Sequence, residues 1–378
     1  MVVTASSLFC TTPTYSSLAS TTKFVLTGTG TFSTSYLWSP SVEINTTGAI
    51  TVGSCSLTSG CIFKYTNATG GFTSTVGSTI TIGTATLDLQ NQPIQNLTLS
   101  GNGSLTLLSN ANVLNATLGG GGTGVILNGV GLRLNVRGSL NMAQANGGLA
   151  GTGILTLKGS GTISSANSST GLTNSGIGVD LELDTTGTYT ATSNMSLYTA
   201  GKTFTRIDGT INWATFTLFV NANRTFNTAG IIFNNITFVS SVTTINSLLR
   251  ISGILTINSS TTFIGTFGWD CDNLICTTAG AFSIILQQGV TYRTRTGVSI
   301  TGGTSGLRPT MTSSGASNAI WTLDEGATQS LIYVNGTRID SSGGQTVWSF
   351  GVSPANIATT INWNPGVPLR TVAYTFVN

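Results

Sequence analysis

The sequence predicts an all-β protein, and more closely a β-solenoid similar to a right-handed parallel β-helix. Three observations predict this class: only 7% of residues are charged, 48 glycines stand against 7 prolines, and apolar and polar residues alternate in short segments. A helical protein of 378 residues would cover its outer faces with Glu, Lys and Arg. Thr, Asn and Gly instead suit pleated strands and tight turns. No apolar periodicity at i, i+3, i+4 and i+7 competes with the alternation.

Short alternating segments define the individual predicted strands. Each segment turns its apolar residues to one face and a polar residue to the other, and Gly, Asn or Ser bounds it. The clearest segments are 80–82, 87–89, 97–99, 181–183 and 254–257.

A recurring unit indicates that these strands stack as a solenoid. The unit is a short apolar strand, a polar residue and a glycine, and it ends at Gly101, Gly129 and Gly159. These glycines are 28 and then 30 residues apart (129 − 101; 159 − 129). Such a period is typical of coils that bury their inner faces only against neighbouring coils, and we expect ~25 residues per coil. A β-sandwich, which normally carries more charge and more Pro and Asp, and a trimer of intertwined β-elements are the alternatives.

The two ends of the chain differ from its middle and predict three regions. Residues 1–50 show few repeat features and are expected to cap or attach the solenoid, because an open end exposes unpaired strand edges. Residues 51–300 are predicted to form the solenoid shaft. Residues 301–378 hold three of the six tryptophans and are predicted to form a small β-rich module.

Signals for targeting and for charged partners are weak. The N-terminus lacks the basic and apolar regions of a secretory signal, and no apolar run reaches the ~18 residues of a membrane-spanning helix. We therefore expect folding in the cytoplasm without secretion or membrane insertion. The 14 basic residues are scattered, so no nucleic-acid partner is expected.

The five cysteines are expected to be free, buried thiols because the cytoplasm keeps thiols reduced. Two short-loop disulfides, Cys55 with Cys61 and Cys271 with Cys276, are the alternative, and Cys10 would then be left over.

The sequence predicts neither an enzyme nor a cofactor. No histidine is present, so the usual base for a Ser or Cys nucleophile is missing. Asp180, Glu182 and Asp184 are the one catalytic candidate, because alternation places all three on one strand face. Neighbouring carboxylates would lie ~6.5–7 Å apart, as in inverting glycosidases. The favoured interpretation is a polar outer face that happens to be acidic, since no aromatic sugar platform lies adjacent in sequence.

Asp270 and Asp272 are the weak candidates for a metal site. Their carboxylates have the spacing that opens a calcium loop. The glycine and the terminal glutamate of an EF-hand loop are missing, so no bound metal is expected.

The C-terminal region carries a resemblance in residues 332–334, 339–348 and 361–363. It resembles a segment that recurs in large, repetitive proteins of phages and environmental bacteria, and the likeness covers under a quarter of the chain. The resemblance implies a surface-exposed β-rich module of phage appendages or adhesins. Tyr333, Trp348, Asn362 and Trp363 are the candidate binding residues, because Trp and Tyr concentrate binding energy. Their alternative role is to form the core of the module.

These observations favour a structural virion protein: a fibre, a spike, or a capsid or tail decoration. We expect it on the virion surface as a homotrimer, in contact with other virion proteins and with a host-surface glycan. A bacterial cell-surface adhesin or filament subunit is the first alternative. A polysaccharide-cleaving tailspike that uses the acidic triplet is the second.

Overall fold

The structure is a computed structural model, and the chain divides into two compact units, residues 1–233 (unit 1) and 234–378 (unit 2). The structure describes residues 2–5, 8–10, 22–34, 37–38, 40–46, 48–58, 60–66, 72–119, 124–143, 148–165, 176–239, 241–276, 280–302, 308–350, 357 and 359–366. Within these residues there is no α-helix, and no helix has the length and apolar character needed to cross a membrane.

Unit 1 consists of short strands joined by tight turns. Its strands are β1 (Val2–Ala5), β2 (Leu8–Cys10), β3 (Lys23–Leu26), β4 (Gly30–Thr34), β5 (Leu37–Trp38), β6 (Ser41–Ile44), β7 (Ile50–Val52), β8 (Cys55–Leu57), β9 (Cys61–Tyr65), β10 (Phe72–Ser74), β11 (Thr79–Asp88), β12 (Pro93–Leu107), β13 (Ala111–Leu118), β14 (Val125–Asn128), β15 (Arg133–Val136), β16 (Leu140–Met142), β17 (Gly148–Gly151), β18 (Ile154–Leu157), β19 (Gly161–Ser165), β20 (Gly176–Ile177), β21 (Asp180–Ala191), β22 (Met195–Leu197), β23 (Lys202–Asn212), β24 (Thr217–Val220), β25 (Arg224–Asn227) and β26 (Ile232–Phe233).

Unit 2 has the same construction with several longer strands. Its strands are β27 (Asn235–Phe238), β28 (Ser241–Ile245), β29 (Leu249–Ile257), β30 (Thr261–Gly265), β31 (Trp269–Cys276), β32 (Ser283–Leu286), β33 (Thr291–Thr301), β34 (Thr310–Ser313), β35 (Ala319–Leu323), β36 (Thr328–Ile332), β37 (Asn335–Thr337), β38 (Ile339–Asp340), β39 (Val347–Phe350) and β40 (Trp363–Gly366).

Strand pairing shows that each unit is a parallel β-solenoid, and about 13 turns are present in all. In the middle of unit 1, β14 pairs with β17, β15 with β18, and β16 with β19, all in parallel. A strand therefore meets the third strand after it, so one turn contains three strands and three faces. In unit 2, β29, β31 and β33 shift register part-way along, and each contributes to two faces.

The core of each unit is a set of continuous rows of inward side chains. In unit 1, Ile80, Leu97, Ala116, Leu140 and Ile163 are register partners on successive turns, and all are buried. Alternation sends the residues between them outward. The strands form because β-branched and apolar residues occur at every second position, and the turns follow because Gly and Asn accept positive φ.

Aromatic residues fill wider parts of both cores. In unit 2, the Trp269 ring lies 4.8 Å from that of Phe263 and 4.4 Å from that of Tyr292, between centroids. Desolvation raises the pKa of Tyr292 to about 12, and its hydroxyl accepts a hydrogen bond from the Gln287 amide at 2.9 Å. A buried phenol needs such a partner, so the hydroxyl is accommodated in the apolar interior.

One face of unit 1 is built of uncharged hydrogen-bonding side chains, and we call it the polar face. Its central row, defined by register partners on six successive turns, consists of Ser56, Thr81, Thr98, Thr117, Asn141 and Ser164. Neighbouring side chains in the face bond across turns, for example Asn115 Nδ2 to Asn96 Oδ1 at 2.9 Å. Ser164 Oγ likewise donates to Asn141 Oδ1 at 3.1 Å. The hydroxyls and amides therefore satisfy each other along the solenoid.

The predicted all-β parallel solenoid is confirmed, and so is the inward direction of the apolar residues in segments 80–82, 97–99 and 181–183. The expected ~25 residues per coil is close to the spacing of register partners. The 28- and 30-residue spacing of the glycine-ended units does not measure one turn, because the units lie on different faces. Leu97 stacks on Ala116, whereas Leu127 stacks on Leu105 on a different face. Register partners lie 19 residues apart at Asn96 and Asn115.

Turn length varies along the chain, because the partners Thr156 and Glu182 lie 26 residues apart. Parallel pairing of the same kind occurs on both sides of residues 50 and 300. The N-terminal cap and the C-terminal module stay predictions.

The structure holds Cys55, Cys61, Cys271 and Cys276 as free, buried thiols, as the sequence predicted, while the side chain of Cys10 lies outside the described residues. Burial raises the pKa of all four thiols, to about 12 for Cys61 and Cys271. Thiolates are the reactive form, so these cysteines are chemically quiet at neutral pH.

We predict that the native Cys10→Ser variant shows no fast reaction with a thiol-specific disulfide reagent at pH 8. The four remaining thiols react after denaturation, because unfolding returns their pKa to the ordinary range. Absorbance of the released chromophore measures both values. Rapid reaction of two thiols in the native protein would contradict the buried placement of one cysteine pair.

Candidate functional site

The acidic triplet lies in the first half of β21 on one outward face of unit 1. Asp180, Glu182 and Asp184 alternate with Leu181 and Leu183, which are buried in the core. The predicted placement on one strand face is therefore confirmed. The same alternation that fills the core directs the three carboxylates outward.

Each carboxylate of the triplet has a cationic partner from another turn. Glu182 accepts two hydrogen bonds from Arg133, at 2.7 Å from Nε and 2.9 Å from a terminal nitrogen. Asp184 pairs with Lys158 at 2.7 Å. The hydrogen bond from Arg133 to Glu182 is the main reason why the pKa of Arg133 is raised.

The third carboxylate is held by backbone as well as by charge. Asp180 accepts a hydrogen bond from the Thr203 amide at 2.8 Å and lies 3.9 Å from Lys202 Nζ. Glycoside hydrolysis needs one carboxylic acid with a raised pKa beside a carboxylate that is open to water or to the sugar. Arg133, Lys158 and Lys202 contact the oxygens of these carboxylates, so the contacts of this row are those of structural ion pairs.

A buried cation that the sequence analysis missed lies beneath this face. Arg224 begins β25, is 2% exposed, and donates hydrogen bonds to the carbonyls of Val179, at 3.0 Å, and of Ile177. Burial lowers the pKa of Arg224 to about 10, against the opposing effects of Asp180 and Tyr198. Arg224 and the buried Phe226 lie two residues apart in one strand, so alternation directs both side chains inward. The target carbonyls, 45 and 47 residues earlier, were visible only in the folded chain.

The two candidate metal ligands also form ion pairs. In unit 2, one terminal nitrogen of Arg295 lies 2.6 Å from Asp270 and the other 3.1 Å from Asp272. The hydrogen bond to Asp270 is the main reason why the pKa of Arg295 is raised. Among the described residues no cluster of three or more metal-binding side chains occurs. The guanidinium of Arg295 therefore contacts the two carboxylates that the sequence analysis considered as ligands of a metal ion.

Three of the four candidate binding residues have structural roles. Trp363 is buried, with its ring 5.6 Å from that of Trp321 between centroids. Asn362 has a φ of 57° and donates to the carbonyls of Ser341, at 3.0 Å, and Gly344, at 3.2 Å. Asn362 therefore closes a turn.

Tyr333 is half-buried with a φ of 56°, and its amide donates to the carbonyl of Phe350 at 2.7 Å. Tyr333 therefore lies in a second tight turn.

Trp348 is the fourth candidate, and 43% of its surface is exposed on the outer face of β39. Its backbone amide donates to Gln329 Oε1 at 3.0 Å. Ile332 on the adjacent strand is 37% exposed and is the register partner of Phe350. An apolar patch containing a flat ring therefore lies on this face.

A shallow groove, which we call the β33 groove, adjoins the patch. Its volume is about 170 Å³, and it runs across the second halves of β31 and β33 and across β36. Two parallel rows of register partners line it: Asn273, Gly297 and Thr328 in one row, and Ile275, Ser299 and Ser330 in the other.

The β33 groove continues toward the exposed tryptophan. Leu331 pairs with Ser349 and both are buried, so Ser330 and Trp348, the residues before them, point outward from adjacent strands. Adjacent strands lie ~4.8 Å apart, so Trp348 extends the second row by one strand. Sequence reasoning identified Trp348 but missed the residues of the groove, because they come from segments that only the register brings together.

Unit 1 is a parallel β-solenoid with ion-paired carboxylates. Unit 2 is a parallel β-solenoid with ion-paired carboxylates and a groove beside an exposed aromatic patch. Comparison of the chain with protein-family models, with curated proteins and with solved structures found no match.

We predict that Glu182→Gln lowers the free energy of unfolding by about 1 kcal/mol, because Gln keeps the shape but loses the charge-assisted bonds to Arg133. Asp208→Asn is the matched control, since the Asp208 side chain is 59% exposed and lies 3.8 Å from Arg206. Denaturant titration followed by circular dichroism measures both variants. Unchanged stability of Glu182→Gln, with loss of a polysaccharide-cleaving activity of the parent, would restore the catalytic interpretation of the triplet.

Proposed function

We propose that this chain is a non-catalytic structural protein of a virion surface, a fibre, spike or decoration, which also adheres to a glycan of the host surface. The observation that carries the proposal is the polar face of unit 1. Six successive turns present a hydroxyl or an amide at the same register position. The strand segments that carry this row contain no charged side chain: 55–57, 79–82, 96–99, 115–118, 140–142 and 161–165.

An uncharged hydrogen-bonding face suits exposure to a crowded medium. Such a face lacks the charge clusters that attract nucleic acid and anionic membranes. It also lacks the large apolar patches that drive non-specific association. Hydroxyl and amide groups form many modest hydrogen bonds, which is the chemistry that sugars require. Resistance to non-specific contact and weak, repeated glycan contact are both useful on a particle surface.

The arrangement of charge favours a structural role over the tailspike alternative. The acidic triplet of unit 1 lies on another face, where Arg133, Lys158 and Lys202 engage it. Ion pairs between turns fix register. The C-terminal resemblance to appendage and adhesin modules adds support for a place on a virion. A homotrimer in contact with other virion proteins is the assembly that we propose for it.

Cryo-electron microscopy of the native particle or filament that carries this chain tests the proposal. We expect solenoid density on a capsid or tail, with part of the chain embedded among other virion proteins. Antibody labelling of intact particles, with particles lacking the gene as control, identifies the density. A homopolymer on a cell envelope would overturn the virion role and support the adhesin.

The non-catalytic part of the proposal has a separate test. We expect the purified protein to release no reducing ends from host-surface polysaccharide, and Asp184→Asn to behave like the parent. Release of oligosaccharides by the parent and its loss in Asp184→Asn would support the tailspike instead.

A further inference from the structure

The β33 groove has a floor that presents polar atoms to a ligand. Gly297 lies between Asn273 and Thr328 in one row, and a Cβ on Gly297 would meet Thr328 Oγ1 at 2.6 Å and Asn273 Oδ1 at 3.0 Å. These two oxygens therefore occupy the place that a side chain at Gly297 would take, and they converge at the floor of the groove. A hydroxyl and an amide that converge on one point match the donors and acceptors of a sugar ring.

The wall of the groove leads onto an aromatic surface. Ser299 and Ser330 are exposed in the second row, and the outward position on the next strand is Trp348, 43% exposed. Ile332 and Phe350 widen the apolar area beside the ring. A flat aromatic ring stacks on the apolar face of a pyranose while the ring hydroxyls remain free for hydrogen bonds.

The charges around the groove favour a neutral ligand. Among the residues that the structure describes, no charged side chain lines it. Arg295, two residues before Gly297 in the same strand, is engaged by Asp270 and Asp272. An anionic ligand would therefore meet no uncommitted cation in the lining, and a cationic ligand no carboxylate.

The size of the groove favours part of a chain over an enclosed small molecule. Its volume of about 170 Å³ is below the ~300–1,000 Å³ of pockets that enclose drug-sized ligands. One sugar ring fits such a depression while its neighbours continue over the open face toward Trp348.

We propose that the β33 groove and Trp348 form a binding site for a neutral polysaccharide. This inference rests on the glycan adhesion in the proposed function and names the site and the ligand class. One sugar ring bonds to Asn273 and Thr328 in the groove, and a neighbouring sugar ring stacks on Trp348.

The test uses the purified full chain and an array of neutral polysaccharides (dextran, mannan, amylose, galactan and laminarin) beside anionic ones (alginate and heparin). We expect binding to at least one neutral polymer and none to the anionic polymers. Titration calorimetry with the bound polymer then compares variants. Trp348→Ala weakens binding by about tenfold or more, whereas Trp348→Tyr stays within about threefold.

Two further variants separate the site from general effects on folding. Ser299→Arg fills the groove from an exposed position and abolishes binding while Trp348 stays in place. Phe267→Ala removes an aromatic side chain that is 47% exposed in the same unit but outside the groove lining, and it binds like the parent. Circular dichroism and the thermal midpoint verify that each variant is folded.

Each outcome decides the proposal. Loss of binding in Trp348→Ala and Ser299→Arg, with Phe267→Ala unaffected, supports the site. Parent-like binding by Trp348→Ala and Ser299→Arg overturns it, and so does binding to anionic polymers alone or to none. Microscopy of the particle separates this result from the virion role, because a protein located on the virion that binds no neutral polymer contradicts only the adhesion and this site.

Discussion

A turn of this solenoid buries its inward side chains only against the turns on either side of it, so the rest of the structure depends on parallel register. The continuous rows of inward side chains show this dependence. Ile80, Leu97, Ala116, Leu140 and Ile163 stack because no single turn of about 20 residues encloses a core of its own. Once the inward row is fixed, alternation fixes every outward row as well. The polar face and the β33 groove are both made of such outward rows.

Register also explains why the few charged residues of this chain form ion pairs between turns. An apolar stripe of similar residues tolerates slippage between turns, because one Leu or Ile replaces another at little cost. Ion pairs between turns penalise such a slip. Arg295 engages both Asp270 and Asp272, and Arg133 reaches Glu182, 49 residues later in sequence. Buried polar and ionic groups elsewhere fix register in this manner.

Local pattern in the sequence predicted the strands, their inward residues and the solenoid class. It predicted the place of Asp180, Glu182 and Asp184 on one face because alternation depends only on neighbours in the chain. It predicted about 25 residues per turn but not how the length varies from turn to turn. The three glycine-ended units lie on three different faces, so their spacing does not measure one turn.

Sequence patterns could not predict which side chains contact each other across turns. The guanidinium that contacts Asp270 and Asp272 belongs to Arg295, 25 and 23 residues later. Because the turns differ in length, the sequence spacing did not reveal this pairing. The same holds for the candidate binding residues. Trp348 and Trp363 have similar composition around them, but one points outward and the other inward. The direction of each follows from the register of β39 and β40.

The β33 groove shows how a solenoid makes a site without a long loop. A face of stacked strands carries an unbroken row of side chains, and a glycine in the row leaves room for the side chains on either side of it to converge at the floor of a shallow depression. Gly297 has this role between Asn273 and Thr328, and its φ lies outside the left-handed region, so glycine is present here for space and not for backbone freedom. The adjacent rows then determine what the depression offers: hydroxyls and an amide on its floor, and an indole at its end. Because any outward position tolerates substitution when the inward row is kept, such a face can change its ligand while the core stays the same.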